Sequence, residues 1–219
     1  IAVGMGSIRP LLQDTDTFSH FFIKTKAPDV PVVANLGAVQ LRDLDNRVLS
    51  ELLKRLEVQA LAVHLNVGQE LFQSLGDRDF RGILDSIERA VEESGVPIIV
   101  KETGFGIRPS LVRYLLGIGV EYVDLAGSDG TNWVMIEGQR TSMNSSARAT
   151  AFSDWGLPTG VLLSLLGDAG SNLIASGGVR HGVHLAKTVA LGAVIGGMAL
   201  PFIQAVMTKG ADGARALID

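Results

Sequence analysis

Short, almost wholly apolar runs rich in Val, Ile and Leu alternate along this chain with longer stretches in which apolar residues recur every three or four positions. The runs predict strands over 1–3, 31–36, 60–65, 97–101, 122–125, 172–175 and 193–196. The helical spacing predicts helices over 14–26, 43–56, 80–93, 109–116, 159–166 and 182–191. Within 43–56, Leu44, Val48, Leu49, Leu52, Leu53 and Leu56 fall on one stripe, with Arg47, Glu51 and Lys54 between them. Gly95 and Gly119 follow two of the helices, where a glycine relieves a left-handed cap. Strands this apolar are covered on both faces, which points to a parallel sheet flanked by helices. The stretch 127–156 has no period and reads as a long loop, a lid or binding segment. Its part 132–152, rich in Ser, Thr and Gly, is expected to be the most mobile.

Seven strands and a partial helix from Pro201 fit a parallel β/α barrel one strand short of eight. The expectation is an α/β chain forming a single domain over 1–219, a barrel lacking its first strand and its C-terminal end. Apolar residues beside 1–3 and the last strand should then be incompletely covered. An open doubly wound sheet is the other α/β option, but its glycine fingerprint after the first strand is absent.

Composition narrows the function. The net charge is −4 without a block of like charge, so no nucleic-acid or anionic-membrane surface is expected. The chain has 0 cysteines, which excludes disulfides, thiolate metal sites and a thiol nucleophile, and is compatible with a reducing cytosol. Neither a leader pattern nor an apolar run long enough for a bilayer is evident.

Polar and glycine motifs sit where the strands run out, the active face of a parallel barrel. Ser176-Gly177-Gly178, with Arg180 beside it, precedes a helix, and Gly196-Gly197-Met198-Ala199 ends the next strand. Glycines admit a ligand to the backbone and a helix N-terminus favours an anion, so the two together read as a phosphate cup; tight turns are the plainer alternative. Lys101 ends an apolar strand and would face the mouth, or else snorkel to solvent. His64 and Asn66 share a strand face and are followed by Gln69 and Glu70. Glu70 is the best metal candidate, suited to Mg²⁺ held mainly by water and phosphate oxygens. Asn35 could bond a planar ring, and Ser7 with Arg9 could contact phosphate or be a cap and a surface charge. Pattern alone does not decide whether Trp133 is a wall of the pocket, or whether Glu137 faces pocket or water.

Taken in order, these motifs resemble the type 2, FMN-dependent isopentenyl diphosphate isomerases. The resemblance rests on Met5-Gly6-Ser7 with Arg9, the run 31–41, His64-Leu65-Asn66 with Gln69-Glu70, and 99–102 with Gly104-Phe105-Gly106. It continues through Gly130-Thr131-Asn132-Trp133 with Ile136-Glu137, Asp154-Trp155-Gly156, the run 174–180 and the run 197–202. It implies a TIM (β/α)8 barrel and a 1,3-allylic proton shift between isopentenyl and dimethylallyl diphosphate. Reduced FMN would be the acid–base catalyst, with NADPH as reductant and Mg²⁺ binding the diphosphate. FMN would be held by Ser7, Asn35, Lys101, Ser128 and Thr131, and by Gly177, Gly178, Arg180, Gly197, Met198 and Ala199. Arg9, His64, Asn66 and Gln69 would hold substrate, Gln69 would also act catalytically, and Glu70 would bind the metal. A cytoplasmic homo-oligomer, tetramer or octamer, is implied as well. The resemblance leads one to expect a further N-terminal strand with a basic segment ahead of Ile1, and the chain departs from the family in Val67-Gly68 and in Asp129 where glycine is usual.

Two rivals use the same barrel. A flavin-dependent 2-hydroxy-acid oxidase needs a histidine base that 127–133 does not contain, and an inosine-monophosphate-type dehydrogenase needs a cysteine. A non-catalytic flavin- or phosphate-binding barrel is the rival from another class.

Overall fold

The computed structural model describes the backbone of residues 1–141, 143–167 and 172–219, and the side chains of these residues outside 141–145. Seven strands form one sheet: β1 (Val3–Ser7), β2 (Val32–Gly37), β3 (Ala60–Leu65), β4 (Ile98–Glu102), β5 (Tyr122–Asp124), β6 (Leu173–Ala175) and β7 (Ile195–Gly196). They lie in chain order, each parallel to the next. A doubly wound sheet reverses its order at a switch point; this one never does, and it curls as an α/β-barrel sheet. The first and last strands do not pair with each other among the described residues, so the sheet has seven strands and an open seam.

The helices are α1 (Arg9–Gln13), α2 (Phe18–Phe21), α3 (Ala38–Asp43), α4 (Asn46–Arg55), α5 (Val67–Phe72) and α6 (Ile83–Glu93). They continue with α7 (Pro109–Gly117), α8 (Trp133–Thr141), α9 (Met143–Thr150), α10 (Thr159–Leu166), α11 (Gly182–Ala190) and α12 (Leu200–Ile218). Their apolar stripes close on the sheet, where Leu36, Leu61, Val63, Val100 and Val123 are fully buried with Leu49, Ile87 and Leu115. At the seam the pattern fails as expected: Ile1 is 83% exposed, Val3 41%, Val194 43% and Ile195 48%.

Four elements differ from the sequence expectation. The first strand runs over 3–7, because pairing with β2 (Val3 N–H to the Pro31 carbonyl, 2.9 Å) outweighs the poor strand propensity of Gly4 and Gly6. The segment 14–26 is not one helix. The Asp14 carboxylate takes the Asp16 N–H at 2.9 Å and opens a 3₁₀ turn, Thr15–Thr17. Lys24 further on ties the chain down to the Pro28 and Val30 carbonyls, at 3.0 and 2.9 Å. The stretch 43–56 is not one helix: α3 ends at Asp43, and α4 starts at Asn46, where the Asp45 side chain caps the Arg47 N–H at 2.8 Å.

The long loop expected over 127–156 is instead largely a helical hairpin, α8 and α9. It is held by its own small core: Phe105, Val134 and Ala149, packed against Phe72, Met135 and Phe152. Part of the expected mobile segment, Ser142, lies outside the described residues.

Candidate active site

The C-terminal ends of β2 to β5 stand side by side, and their register sets out the site. His64 is level with Lys101, and Lys101 with Asp124. His64 Nδ1 lies 2.7 Å from Asn35 Oδ1 on β2. An amide oxygen only accepts, so Nδ1 carries the proton and Nε2 keeps its lone pair. Burial, and then the Lys101 cation, lower the His64 pKa to about 4, so the ring is neutral at ordinary pH. Lys101 is half-buried and donates to the Glu102 carbonyl at 2.6 Å. Two carboxyls flank it, the half-buried Glu102 and the buried Asp124, each pushed above its usual range by desolvation and drawn back in part by the lysine and by hydrogen bonds. Glu102 accepts the N–H groups of Gly104 and Phe105, which shapes the next loop. In that loop Thr103 Oγ1 is buried with no hydrogen-bond partner among the described residues.

A second cluster lies on α5. Asn66 donates to Glu70 Oε1 at 2.9 Å, and Glu70 Oε2 takes the Asp77 N–H at 2.9 Å. Gln69 Nε2 donates to Glu137 Oε1 at 3.1 Å, and Gln73 Nε2 to the same oxygen at 3.2 Å. Glu137 is 5% exposed. It faces the site and not water, a question the sequence pattern leaves open. The helical position that turns it inward was not legible, because α8 itself was not. Trp133, the first residue of that helix, is 38% exposed. Arg9 shares a cleft of about 360 Å³ with Gln40 and Asp77. Gln40 also donates to Asp77 at 3.2 Å, so Asp77 links the Arg9 cleft to Glu70. Ser7 Oγ accepts the Arg9 N–H at 3.3 Å.

The third cluster is built from backbone. Gly177 and Gly178 both adopt positive φ, and a Cβ on either would collide with the loop after β5, at Gly127 and Asp129 respectively. Gly130 approaches Gly177 so closely that its own Cβ would come within 2.9 Å of that Cα. Ser128 is fixed through its N–H to the Leu157 carbonyl at 3.0 Å, and Thr131 is half-buried beside Gly104. Arg180 is exposed and donates to the Asp129 carbonyl at 3.1 Å. The Asp129 carboxylate accepts the Thr159 N–H at 3.0 Å at the start of α10, so its charge is turned to a helix end. Gly197 donates to the Ala175 carbonyl at 2.8 Å and follows β7 with Met198 and Ala199, at the edge of the sheet opposite Ser7.

Fold and strand-end polar clusters together place the chain in the α/β-barrel class. A solved 3-hexulose-6-phosphate synthase superposes on 99% of this chain and 84% of its own, with a TM-score of 0.55 at 15% identity. An oxidised active mutant of (S)-mandelate dehydrogenase gives 0.57 at 13% identity, over 99% and 71%. At such identity the likeness is one of fold. No protein-family model matches the chain. In sequence it is 45% identical over 220 residues to the isopentenyl-diphosphate delta-isomerase of Borrelia garinii subsp. bavariensis, covering 99% of this chain. It is 39% identical to the protein of that name from Methanothrix thermoacetophila, over 99% of the chain, and 42% identical to that from Synechococcus sp., over 94%. The chain spans 60 to 62% of the length of these relatives.

Proposed function

We propose that this chain is the barrel portion of an isopentenyl-diphosphate delta-isomerase of the type 2, FMN-dependent class. The observation that carries the reading is 45% identity across 99% of the chain to a protein of that name. Interconverting isopentenyl and dimethylallyl diphosphate adds a proton at the terminal methylene and removes one from the carbon two bonds away, with no net redox change. Such a reaction needs a dry, polar mouth that holds a diphosphate and keeps the alkene beside a proton-transfer group.

The residues fit FMN on two counts. At Gly177 and Gly178 the chain's own atoms at Gly127 and Asp129 leave no room for a side chain, so only main chain stands at these strand ends to meet a phosphate, and the orphaned Thr103 hydroxyl lies in the loop beside Lys101. Ser7, Asn35, Lys101, Ser128 and Thr131 would hold the cofactor, with Arg180, Gly197, Met198 and Ala199 at its phosphate end. When bound and reduced by NADPH, FMN would supply the acid–base group. The fit to Mg²⁺ is narrower. No group of three His, Asp or Glu side chains that could hold a metal occurs among the described residues. Both Glu70 oxygens already accept one hydrogen bond, and each keeps a further lone pair. Glu70 therefore suits a cation whose other positions come from water and the diphosphate.

In this arrangement His64, Asn66 and Arg9 bind the substrate. Glu137 holds the Gln69 amide in place, so that Gln69 stands at the reacting carbons with one orientation. The cytoplasmic, homo-oligomeric enzyme belongs to the same proposal. Among the described residues, no helix is long and apolar enough to cross a membrane.

The test is to titrate the purified chain with FMN, then assay isopentenyl diphosphate turnover with Mg²⁺ and NADPH. Flavin binding with conversion to dimethylallyl diphosphate is expected. Failure to bind FMN overturns the flavin reading. Binding with oxidation of a 2-hydroxy acid instead would move the chain to the oxidase-like class.

A further inference from the structure

Asp124 ends β5 inside the sheet, 8% exposed, and no step above uses it. Its Oδ1 accepts the Ser176 hydroxyl at 2.6 Å and the Ala126 N–H at 3.3 Å. Ser176 is the residue before Gly177-Gly178, and Ala126 opens the neighbouring loop in a positive-φ conformation, φ 42°, that a non-glycine residue adopts only under constraint. One carboxylate oxygen therefore bonds the first residues of two loops that otherwise meet backbone to backbone. The Ser176 carbonyl closes the joint from the other side. It accepts the Gly127 N–H at 3.1 Å and the Thr159 hydroxyl at 2.7 Å. Burial disfavours the Asp124 charge, and the Lys101 cation and the Ser176 hydroxyl offset this. An apolar residue would suit the interior better if no joint were needed.

We propose that Asp124 is a positioning residue: through Ser176 it locks the loop after β5 to Gly177-Gly178 and so sets the width of the cradle that would receive the cofactor's phosphate. This rests on the flavin reading only for the ligand; the lock itself is a property of the chain. A hydrogen bond to a charged acceptor is worth roughly a tenfold change or more in a local equilibrium.

The experiment compares the wild-type chain with Ser176→Ala, Asp124→Asn and Asp124→Ala by hydrogen exchange without ligand, and by binding of FMN and of riboflavin, which lacks the phosphate. Ser176→Ala is the gentlest change and keeps the test alive if Asp124→Ala does not fold. The expected result is roughly tenfold faster exchange in 125–131 and 175–179, with the β2 and β3 amides unchanged, and intermediate behaviour for Asp124→Asn, which keeps an acceptor oxygen. FMN affinity should fall about tenfold while riboflavin affinity holds. Unchanged exchange in the two loops, a rise spread over the whole sheet, or equal loss of both flavins would overturn the proposal. If the wild-type chain binds neither flavin, the flavin reading falls and the exchange data still decide the lock.

Discussion

At the scale of single residues, the proposed function divides the mouth into groups that bind and groups that orient. Under the proposed function, Glu70→Gln should weaken Mg²⁺-dependent turnover and leave FMN affinity nearly intact, because it removes charge from the carboxylate proposed for the cation. Lys101→Ala should do the reverse and loosen flavin, since it takes a strand-end cation out of a partly buried mouth. Parallel titrations with flavin and with metal would separate the two, and flavin release by Glu70→Gln would refute the assignment. His64 carries a pH prediction. Its folded pKa of about 4 lies below the unfolded value of about 6.5, so the unfolded chain binds the proton more readily. Its neutral form contributes stability that is present above pH ~6.5 and lost as pH falls toward ~4. The raised carboxyls of Glu102 and Asp124 work in the opposite sense, regaining stability as pH falls through their folded values. His64→Gln should therefore lose less thermal stability than the wild type over that acid range; parallel melting curves would contradict this.

At the scale of elements, two local devices aim the loops. The Asp129 carboxylate reaches across to the first N–H of α10 and caps it from another loop. Asp129→Gly should cost about 1 kcal/mol, roughly 2–4 °C in Tm for a chain of this size, read by calorimetry. The hairpin of α8 and α9 depends on the Phe105 side chain, 8% exposed among Val134, Ala149 and Phe152. Phe105→Ala should cost on the order of 3–5 kcal/mol. It should also release the hairpin before the sheet, seen as early loss of exchange protection over 133–141. Loss of protection in β2 and β3 at the same rate would show that the hairpin is not a separate unit.

At the scale of the molecule, the seam between β1 and β7 leaves apolar side chains in water at about 40–80% exposure. Burying apolar area is worth about 25 cal/mol per Å². The isolated chain should therefore bind a hydrophobic dye and associate as its concentration rises, by sedimentation. Ile195→Ser should reduce both. A monomeric, dye-silent chain would mean that the seam is covered in solution.

The fold class and the strand-end placement of the candidate residues could be read from the sequence, because both rest on period and neighbourhood. Strands β2 to β7 and α7, α10 and α11 follow their local patterns to within a few residues, since apolar runs and caps act over short distances. What depends on residues distant in the chain was not legible. The α8–α9 hairpin forms where its polar sequence meets an apolar patch supplied by Phe72 and Phe105. Glu137 became part of the site only through Gln69 and Gln73, more than 60 residues away. Asp124 falls within the expected strand 122–125, whose pattern does not record that the fold brings Ser176, 52 residues on, to its oxygen. Sequence pattern determines which residues stand at the strand ends; only tertiary structure decides which of them touch, because a hydrogen bond is set by distances of a few tenths of an ångström that no spacing rule records.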